Sequence, residues 1–390
     1  MKLQGKKTAV VGGGPGGLTL ARLLQLKGVN VTVYERDLDK NARVQGSPLD
    51  LHKESGLAAI VKANLHDEFM ANFMVGADRM KIVNEHAEVL LSDHETKPRE
   101  NFGHDHFRPE IDRGVLRKIL LESLRPETVV WNSHFVSMNK QGEGWLLHFK
   151  DGNTVYADIV VAADGANSKV RPYITDINAF YSGIIMLEGN IYDAKNNAPK
   201  ISALLNGGKI MAFGNSKDIL MGQKANNEIG FYASFKADEN WSVNSGLNFS
   251  DKAQILKWFK TEYYGWSSDW YEMFENVMLP FIPRPIYCMP FDQAWEAQPN
   301  LTMIGDAAHV MPPFAGEGVN MAMLDALELS EYLAEESNNL TIHDAIAGYE
   351  INMRNRSAAI AKESLENGER MHSENALTTM LDFFGGHKQE

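Results

Sequence analysis

Lys7-Thr8-Ala9-Val10-Val11-Gly12-Gly13-Gly14-Pro15-Gly16-Gly17-Leu18, with Glu35 as its sequel, is the stretch that decides the fold. Residues 7–11 are an apolar, β-branched run that reads as a buried strand. Gly12, Gly14 and Gly17 then give G-x-G-x-x-G. From Leu18 to Lys27 the residues favour a helix, and Gly28 suits its left-handed stop. Residues 29–34 predict a second strand that ends at Glu35. Gly12 permits a tight turn, Gly14 lets a pyrophosphate approach the backbone, and Gly17 allows close helix–strand packing. The N–H groups at the helix start, beside Pro15, then face phosphates. Glu35 accepts from ribose hydroxyls, and an acid there disfavours a 2′-phosphate, so FAD or NAD fits better than NADP. A glycine-rich turn that binds nothing is the competing reading.

The rest of the composition narrows the class. With 390 residues the chain is long enough for two or three domains. A net charge of −13 argues against nucleic acid or an anionic membrane as partner. The one cysteine, Cys288, excludes an intrachain disulfide and suits a reducing compartment. The first strand starts at once, leaving no room for a signal peptide, and no apolar run reaches about 18 residues, so a cytoplasmic protein without membrane contact is expected, and a monomer is expected besides.

Working outward, Ser47-Pro48-Leu49-Asp50-Leu51-His52 reads as a loop before a helix from about Glu54. Residues 75–110 are polar, with loose strand patterns at 80–83 and 89–91. His86, His94, His104 and His106 lack metal-ligand spacing, so a solvated loop and no metal is expected. Glu110-Ile111-Asp112-Arg113 opens an amphipathic helix with Asp112 as N-cap. Arg113 falls in the first turn, where the helix dipole disfavours a cation. A phosphate partner explains it, and an ordinary solvated arginine is the equal alternative.

Residues 159–163 predict another buried strand, ending in Asp164-Gly165-Ala166-Asn167-Ser168-Lys169-Val170-Arg171. Runs at 179–191, 201–205, 209–213, 219–221 and 229–235 suggest an antiparallel sheet, followed by a helix over 251–264 capped by Ser250. A strand at 300–304 leads into Gly305-Asp306-Ala307-Ala308-His309, then Pro312-Pro313-Phe314-Ala315-Gly316-Glu317-Gly318-Val319-Asn320 and a helix. Thr341-x-x-Asp344 starts a terminal helix with an apolar stripe. The fold expected is α/β: a Rossmann-like parallel-sheet domain at 1–175 and 284–340, an inserted, mainly antiparallel domain at 176–283, and a C-terminal helix at 341–390 packing across both.

The strings at 12–17, 164–171 and 305–320, in that order, resemble the single-component FAD-dependent aromatic hydroxylases. Within that family the likeness runs towards the bacterial tetracycline-inactivating flavin monooxygenases. Val33-Tyr34-Glu35-Arg36-Asp37, Leu49-Asp50-Leu51-His52-Lys53, Pro109-Glu110-Ile111, and the run Met303 to His309 continued by Met311-Pro312-Pro313-Phe314-Ala315-Gly316 carry it. The likeness spans close to the whole chain. It implies FAD as cofactor, with NADPH as reductant and no second nucleotide domain. It also implies that reduced flavin takes up O₂ as a C4a-hydroperoxide and hydroxylates an electron-rich phenol or enol carbon of an aromatic or polycyclic small molecule. Tetracycline-type antibiotics are among the candidates.

The residues that the resemblance places at the cofactor are Gly12, Gly14, Pro15, Gly17, Glu35, Arg36, Asp50, Leu51, Arg113, Asp164, Asp306, Pro313, Gly316, Gly318, Val319 and Asn320. Asp306 falls to the ribityl chain, and the helix start after Gly316 to the flavin pyrimidine edge. Where that family holds its polycyclic substrate with glutamine, arginine and histidine, this chain carries Glu188, Lys209 and Gly230. Pro313, Phe314 and Gly316 are expected on the near pocket wall, with Phe213 and Met221 on the far side, where core packing competes. No essential acid or base is expected, because the flavin carries the oxygen chemistry. His52 and His309 read as capping or packing residues. An NAD-dependent dehydrogenase, a non-catalytic flavoprotein that sequesters a ligand, and a flavin reductase of isoprenoid lipids are the alternatives.

Overall fold

The Lys7–Val11 strand lies at the middle of a five-stranded sheet in the computed structural model, which describes residues 3–42, 46–95, 107–334 and 341–386. Across the sheet the order is Leu301–Met303, Ile159–Ala162, Lys7–Val11, Asn30–Tyr34 and Val129–Val130, every pair parallel. All four residues of Ile159–Ala162 are buried, as a parallel sheet covered on both faces requires. The connection order reverses between Lys7–Val11 and Ile159–Ala162. At such a switch point a crevice opens beyond the carboxyl ends of the strands. Gly12, Glu35, Asp164 and Asp306 all follow those ends.

A second sheet has seven strands, ordered Met278–Cys288, Phe180–Ile191, Ile229–Lys236, Lys217–Gln223, Lys209–Gly214, Met80–Asn84 and Val89–Ser92. It is antiparallel except where Lys209–Gly214 runs parallel to Met80–Asn84. One face lies under helices Pro199–Leu205, Lys252–Glu262 and Tyr271–Asn276. An aromatic cluster fills the space between, with Phe259 and Phe274 stacked at 4.1 Å and Phe274 5.6 Å from Phe231.

Several local expectations are corrected. Residues 80–92, expected within the 1–175 domain, add two strands to the seven-stranded sheet, and Met278–Cys288 crosses the expected border at 283/284. Residues 201–205 form no strand: Pro199, with φ preset for a first helical turn, starts the Pro199–Leu205 helix. Glu110–Ile111 pairs with Leu49–Asp50 as a short antiparallel bridge, and the helix starts at Arg113. Asp112 caps it, accepting from Gly114 N–H at 2.8 Å. Asp251, not Ser250, caps Lys252–Glu262.

The helix Ile342–Met371 is 30 residues long, or roughly 45 Å at 1.5 Å per residue. Thr341 and Asp344 form the reciprocal cap expected of them. Near its start Tyr349 donates to Met303 O at 3.1 Å; farther along, Ser364 donates to Pro312 O at 2.5 Å. Just past its end His372 lies 2.7 Å from Ser234 Oγ on the seven-stranded sheet. A last helix, Ala376–Gly386, packs against that sheet as well. Among the described residues no helix is long and apolar enough to cross a membrane, and no cluster of three or more His, Cys, Asp or Glu side chains is placed to hold a metal ion. His104 and His106 lie outside the described residues.

Candidate cofactor and substrate site

The glycine turn is shaped by what a side chain would strike. At Gly12, with φ +108°, a Cβ would sit 2.2 Å from Ala163 O, on the neighbouring strand's exit; at Gly17 it would sit 2.2 Å from Gly12 O. At Gly14 it would meet nothing within 4 Å among the described residues. Gly14 is the N-cap of Pro15–Leu26 and supplies no side-chain cap, while Pro15 has no N–H to satisfy. The front of this helix is therefore open and rich in donors. Glu35 is buried and braces the turn, accepting from Gly13 N–H at 2.5 Å and Asp37 N–H at 2.9 Å. Arg36, next to it, is exposed.

The Asp164 string proves to be a clasp between strand ends. Asp164 accepts from the Lys169 N–H at 2.8 Å, closing its own loop, and burial raises its pKa. Arg171 then donates to the carbonyls of Ala307 (3.0 Å) and Ala308 (2.8 Å) and to Gln293 Oε1 (2.6 Å). The loop after Ile159–Ala162 is thereby tied to the turn after Leu301–Met303. On that turn Gly305 takes φ +61° and Asp306 presents an exposed carboxylate. The dense surroundings of Asp306 push its pKa up, against the charges of His309 and Arg113. Behind it stands Asp325, fully buried, accepting from Gly305 N–H at 2.8 Å, from His309 at 2.6 Å and from Arg356 at 2.7 Å. Asp325 escaped the sequence reading, although an acid inside the apolar helical run Met321-Ala-Met-Leu-Asp-Ala-Leu was a usable signal.

A third junction joins the Leu49–Asp50 strand to the first turn of helix Gly318–Ala334. The Asn320 side chain accepts from His52 N–H (2.9 Å) and Gly56 N–H (3.2 Å) and donates to Asp50 O (2.9 Å). Leu51 is wholly buried; Val319 packs at the edge of the same apolar cluster. Gly316 and Pro313 are exposed. Arg113 donates Nε to Ser47 O at 2.7 Å; burial lowers its pKa, against the charges of Asp306 and Glu188.

Directly opposed residues in a sheet point the same way. One row of the seven-stranded sheet is Asn190, Gly230, Gly222 and Lys209; the next is Glu188, Tyr232, Leu220 and Met211; the next Met186, Ser234, Asp218 and Phe213. Glu188, Lys209, Gly230 and Phe213 thus share the face turned toward Glu110 and Phe314. Met221 does not. It lies opposite Phe231 and Ile210, within the aromatic core on the other face, so its expected place at the pocket is corrected. Phe213 is fully buried among Ile82, Met371 and Met380, which makes it packing beneath the wall.

Glu188 is 2% exposed and ion-paired to Arg284, whose side chain is 39% exposed. Lys209 is paired to the buried Glu110. Burial raises Glu110 to about 7 even with Lys209 against it. Both Glu188 and Lys209 are therefore neutralised by a partner side chain. Arg284 and Tyr232 join them at this wall, and nothing local in the sequence announced either.

A switch-point crevice with a glycine turn, an uncapped helix start and acids on successive strand ends defines a dinucleotide-binding α/β protein, closed on one side by a second sheet. The chain belongs to the family described as FAD binding domain, whose pattern matches residues 6–218 and 293–364. It is 28% identical to the monooxygenase asqM of Emericella nidulans, across 96% of this chain and 92% of that protein. To 6-hydroxynicotinate 3-monooxygenase of Pseudomonas fluorescens it is 24% identical, across 93% and 91%. In fold it is similar to Klebsiella pneumoniae HpxO complexed with FAD and uric acid (TM-score 0.76, 18% identity, 100% of this chain and 94% of that one). The tetracycline destructase Tet(51) gives a TM-score of 0.72 at 19% identity, over 98% and 94%. The resemblance drawn from the three strings therefore holds for family and fold.

Proposed function

We propose that the chain is an FAD-dependent monooxygenase that uses NADPH and O₂ to hydroxylate an electron-rich carbon of an aromatic or polycyclic small molecule. The observation that supports it most is the convergence of four strand ends on one crevice, in a chain similar end to end to proteins named monooxygenases. The groups present fit FAD: open space before Gly14, N–H donors at an uncapped helix start, and Glu35 as an acceptor at the second strand end. When bound and reduced, FAD supplies the activation of oxygen.

The chain's residues then have distinct tasks. Gly12, Gly14, Pro15 and Gly17 shape the pyrophosphate seat, Glu35 takes the ribose, and Arg36 and Arg113 offer cations. Asp306 takes the ribityl hydroxyls. Pro313, Gly316, Gly318, Val319 and Asn320 bring the start of Gly318–Ala334 to the flavin's pyrimidine edge, where a helix N-terminus favours negative charge. Asp50, Leu51 and Asp164 hold the walls in place. The substrate lies against the sheet face of Glu188, Lys209 and Gly230, with Phe314 on the loop side. Arg284 and Tyr232 add donors there. The paired charges on that face orient a polar ring substrate, and the two apposed domains exclude water.

The test is a visible spectrum followed by NADPH and O₂ consumption with tetracyclines and simple phenols. Flavin absorbance and substrate-stimulated NADPH oxidation with matching oxygen uptake are expected. A colourless protein that refuses added FAD would sink the reading; substrate reduction without oxygen uptake would make it a reductase. Asp306→Ala should weaken FAD binding by about ten- to a hundredfold, the worth of a charged hydrogen bond. Unchanged flavin content on gel filtration would remove Asp306 from the site.

A further inference from the structure

His52 is buried, and both of its ring nitrogens meet acids. Nδ1 lies 2.8 Å from Glu317 Oε1, and Nε2 lies 3.2 Å from Asp50 Oδ2. A neutral imidazole has one N–H. It would satisfy one carboxylate and turn a lone pair on the other, whereas an imidazolium donates to both. Glu317 stands between Gly316, at φ +70°, and Gly318, the first residue of its helix. A Cβ built on Gly316 would lie 3.4 Å from Asp50 Oδ1, so the loop and the Asp50 strand are in near contact. Without a cation between them, Asp50 and Glu317 would repel across this junction, leaving the Asn320 side chain as its neutral tie.

We propose that His52, as an imidazolium, is a positioning residue that latches the Gly316–Gly318 loop to the Asp50 strand, and that its charge sets how tightly the chain holds FAD. The second half rests on the cofactor reading above; the first does not.

The surrounding charges are consistent with a stable cation. Lys209, from the seven-stranded sheet, acts on Asp50 and is itself paired with Glu110. Burial would raise Asp50, but Lys209 and His52 hold it down to about 2, so it is ionised. Asn320 faces the junction without charge, and Lys53 and Glu54, next along the chain, are exposed. Burial lowers the pKa of His52, yet the bonds and charges of Asp50 and Glu317 raise it further, to about 9. A folded pKa above the ordinary value means that the latch contributes fully below about pH 6.5 and is lost as pH rises through about 9.

The experiment is a fluorescence titration of the flavin-stripped full chain with FAD between about pH 6.5 and 10. For the wild type, Kd should stay level to about pH 8 and rise about tenfold by pH 10. His52→Gln should bind about tenfold more weakly at pH 7 and show no such rise. In Glu317→Gln the rise should move to lower pH, because one of the two acids that charge the ring is gone. A rise shared by wild type and His52→Gln belongs to the flavin and overturns the proposal. The imidazole signal missing from the His52→Gln NMR spectrum gives the readout that needs no cofactor. A midpoint near 9 supports the latch; one near 6.5 overturns it. Failure of all proteins to take FAD, with the midpoint near 9, would overturn the cofactor reading and the second half while the latch stands.

Discussion

Asp325→Ala is expected to destabilise the flavin-free chain by about 3–5 kcal/mol, the usual loss when one partner of a buried charged cluster is removed. The Asp325 side chain has no solvent exposure, and three donors converge on it: Gly305 N–H, His309 Nε2 and Arg356 Nη2. Arg356 retains Glu328 at 2.7 Å, but His309 and the Gly305 N–H would lose their acceptor in the interior. Burial would raise the pKa of Asp325; the charges of His309 and Arg356 and these bonds lower it below its ordinary value of 3.8. Its contribution is therefore fully present above that ordinary value and lost on acidification, so the gap between wild type and variant should narrow as pH falls below it. Asp325→Asn keeps the shape without the charge and should fall between the two. Because Gly305 sets the turn that presents Asp306, FAD affinity should fall in parallel. Urea unfolding of both proteins at pH 7 checks the magnitude; a difference under about 1 kcal/mol would mean that the cluster relaxes to water.

What could be read from the sequence was whatever the backbone demands locally. The Gly12 turn, the Asp112 cap and the Thr341–Asp344 box each need particular residues at fixed spacing, and each is found where expected. Long-range pairing left no such mark. Met80–Asn84 looks like any half-buried strand, and only its parallel partner Lys209–Gly214 assigns it to the second sheet. The parity of Met221 is a finer case. Phe213 opposite Asp218 in the hairpin puts Leu220 on the cleft side and Met221 behind, and a slip of one residue would reverse this. Periodicity alone does not fix that register. Charges show the same limit: Glu188 is visible as an acid, but its neutralisation by Arg284 depends on a neighbouring strand almost a hundred residues on.

Gly17→Ala and Gly14→Ala are expected to fail in opposite ways, and the contrast separates a packing turn from a phosphate seat. At Gly17 the new methyl would stand 2.2 Å from Gly12 O and 3.2 Å from Ala163 Cβ. Neither neighbour is a flexible side-chain end, so the helix must move off the sheet, at about 3 kcal/mol or more. At Gly14 the backbone sits at φ −74°, ψ 178°, open to any residue, and the methyl would meet no atom of the described residues within 4 Å. Stability should therefore stay within about 0.5–1 kcal/mol of wild type, the difference between glycine and alanine at an N-cap included. The same methyl would project into the space before the helix N-terminus, where the pyrophosphate is proposed to lie. A steric overlap of ~3 kcal/mol there corresponds to about a hundredfold weaker FAD binding. The measurement is a pair of curves for each variant, thermal unfolding without flavin and FAD titration by fluorescence. A Gly14→Ala protein that keeps both its stability and its FAD affinity would place the phosphates elsewhere, because no rearrangement of the fold would be available to explain the tolerance.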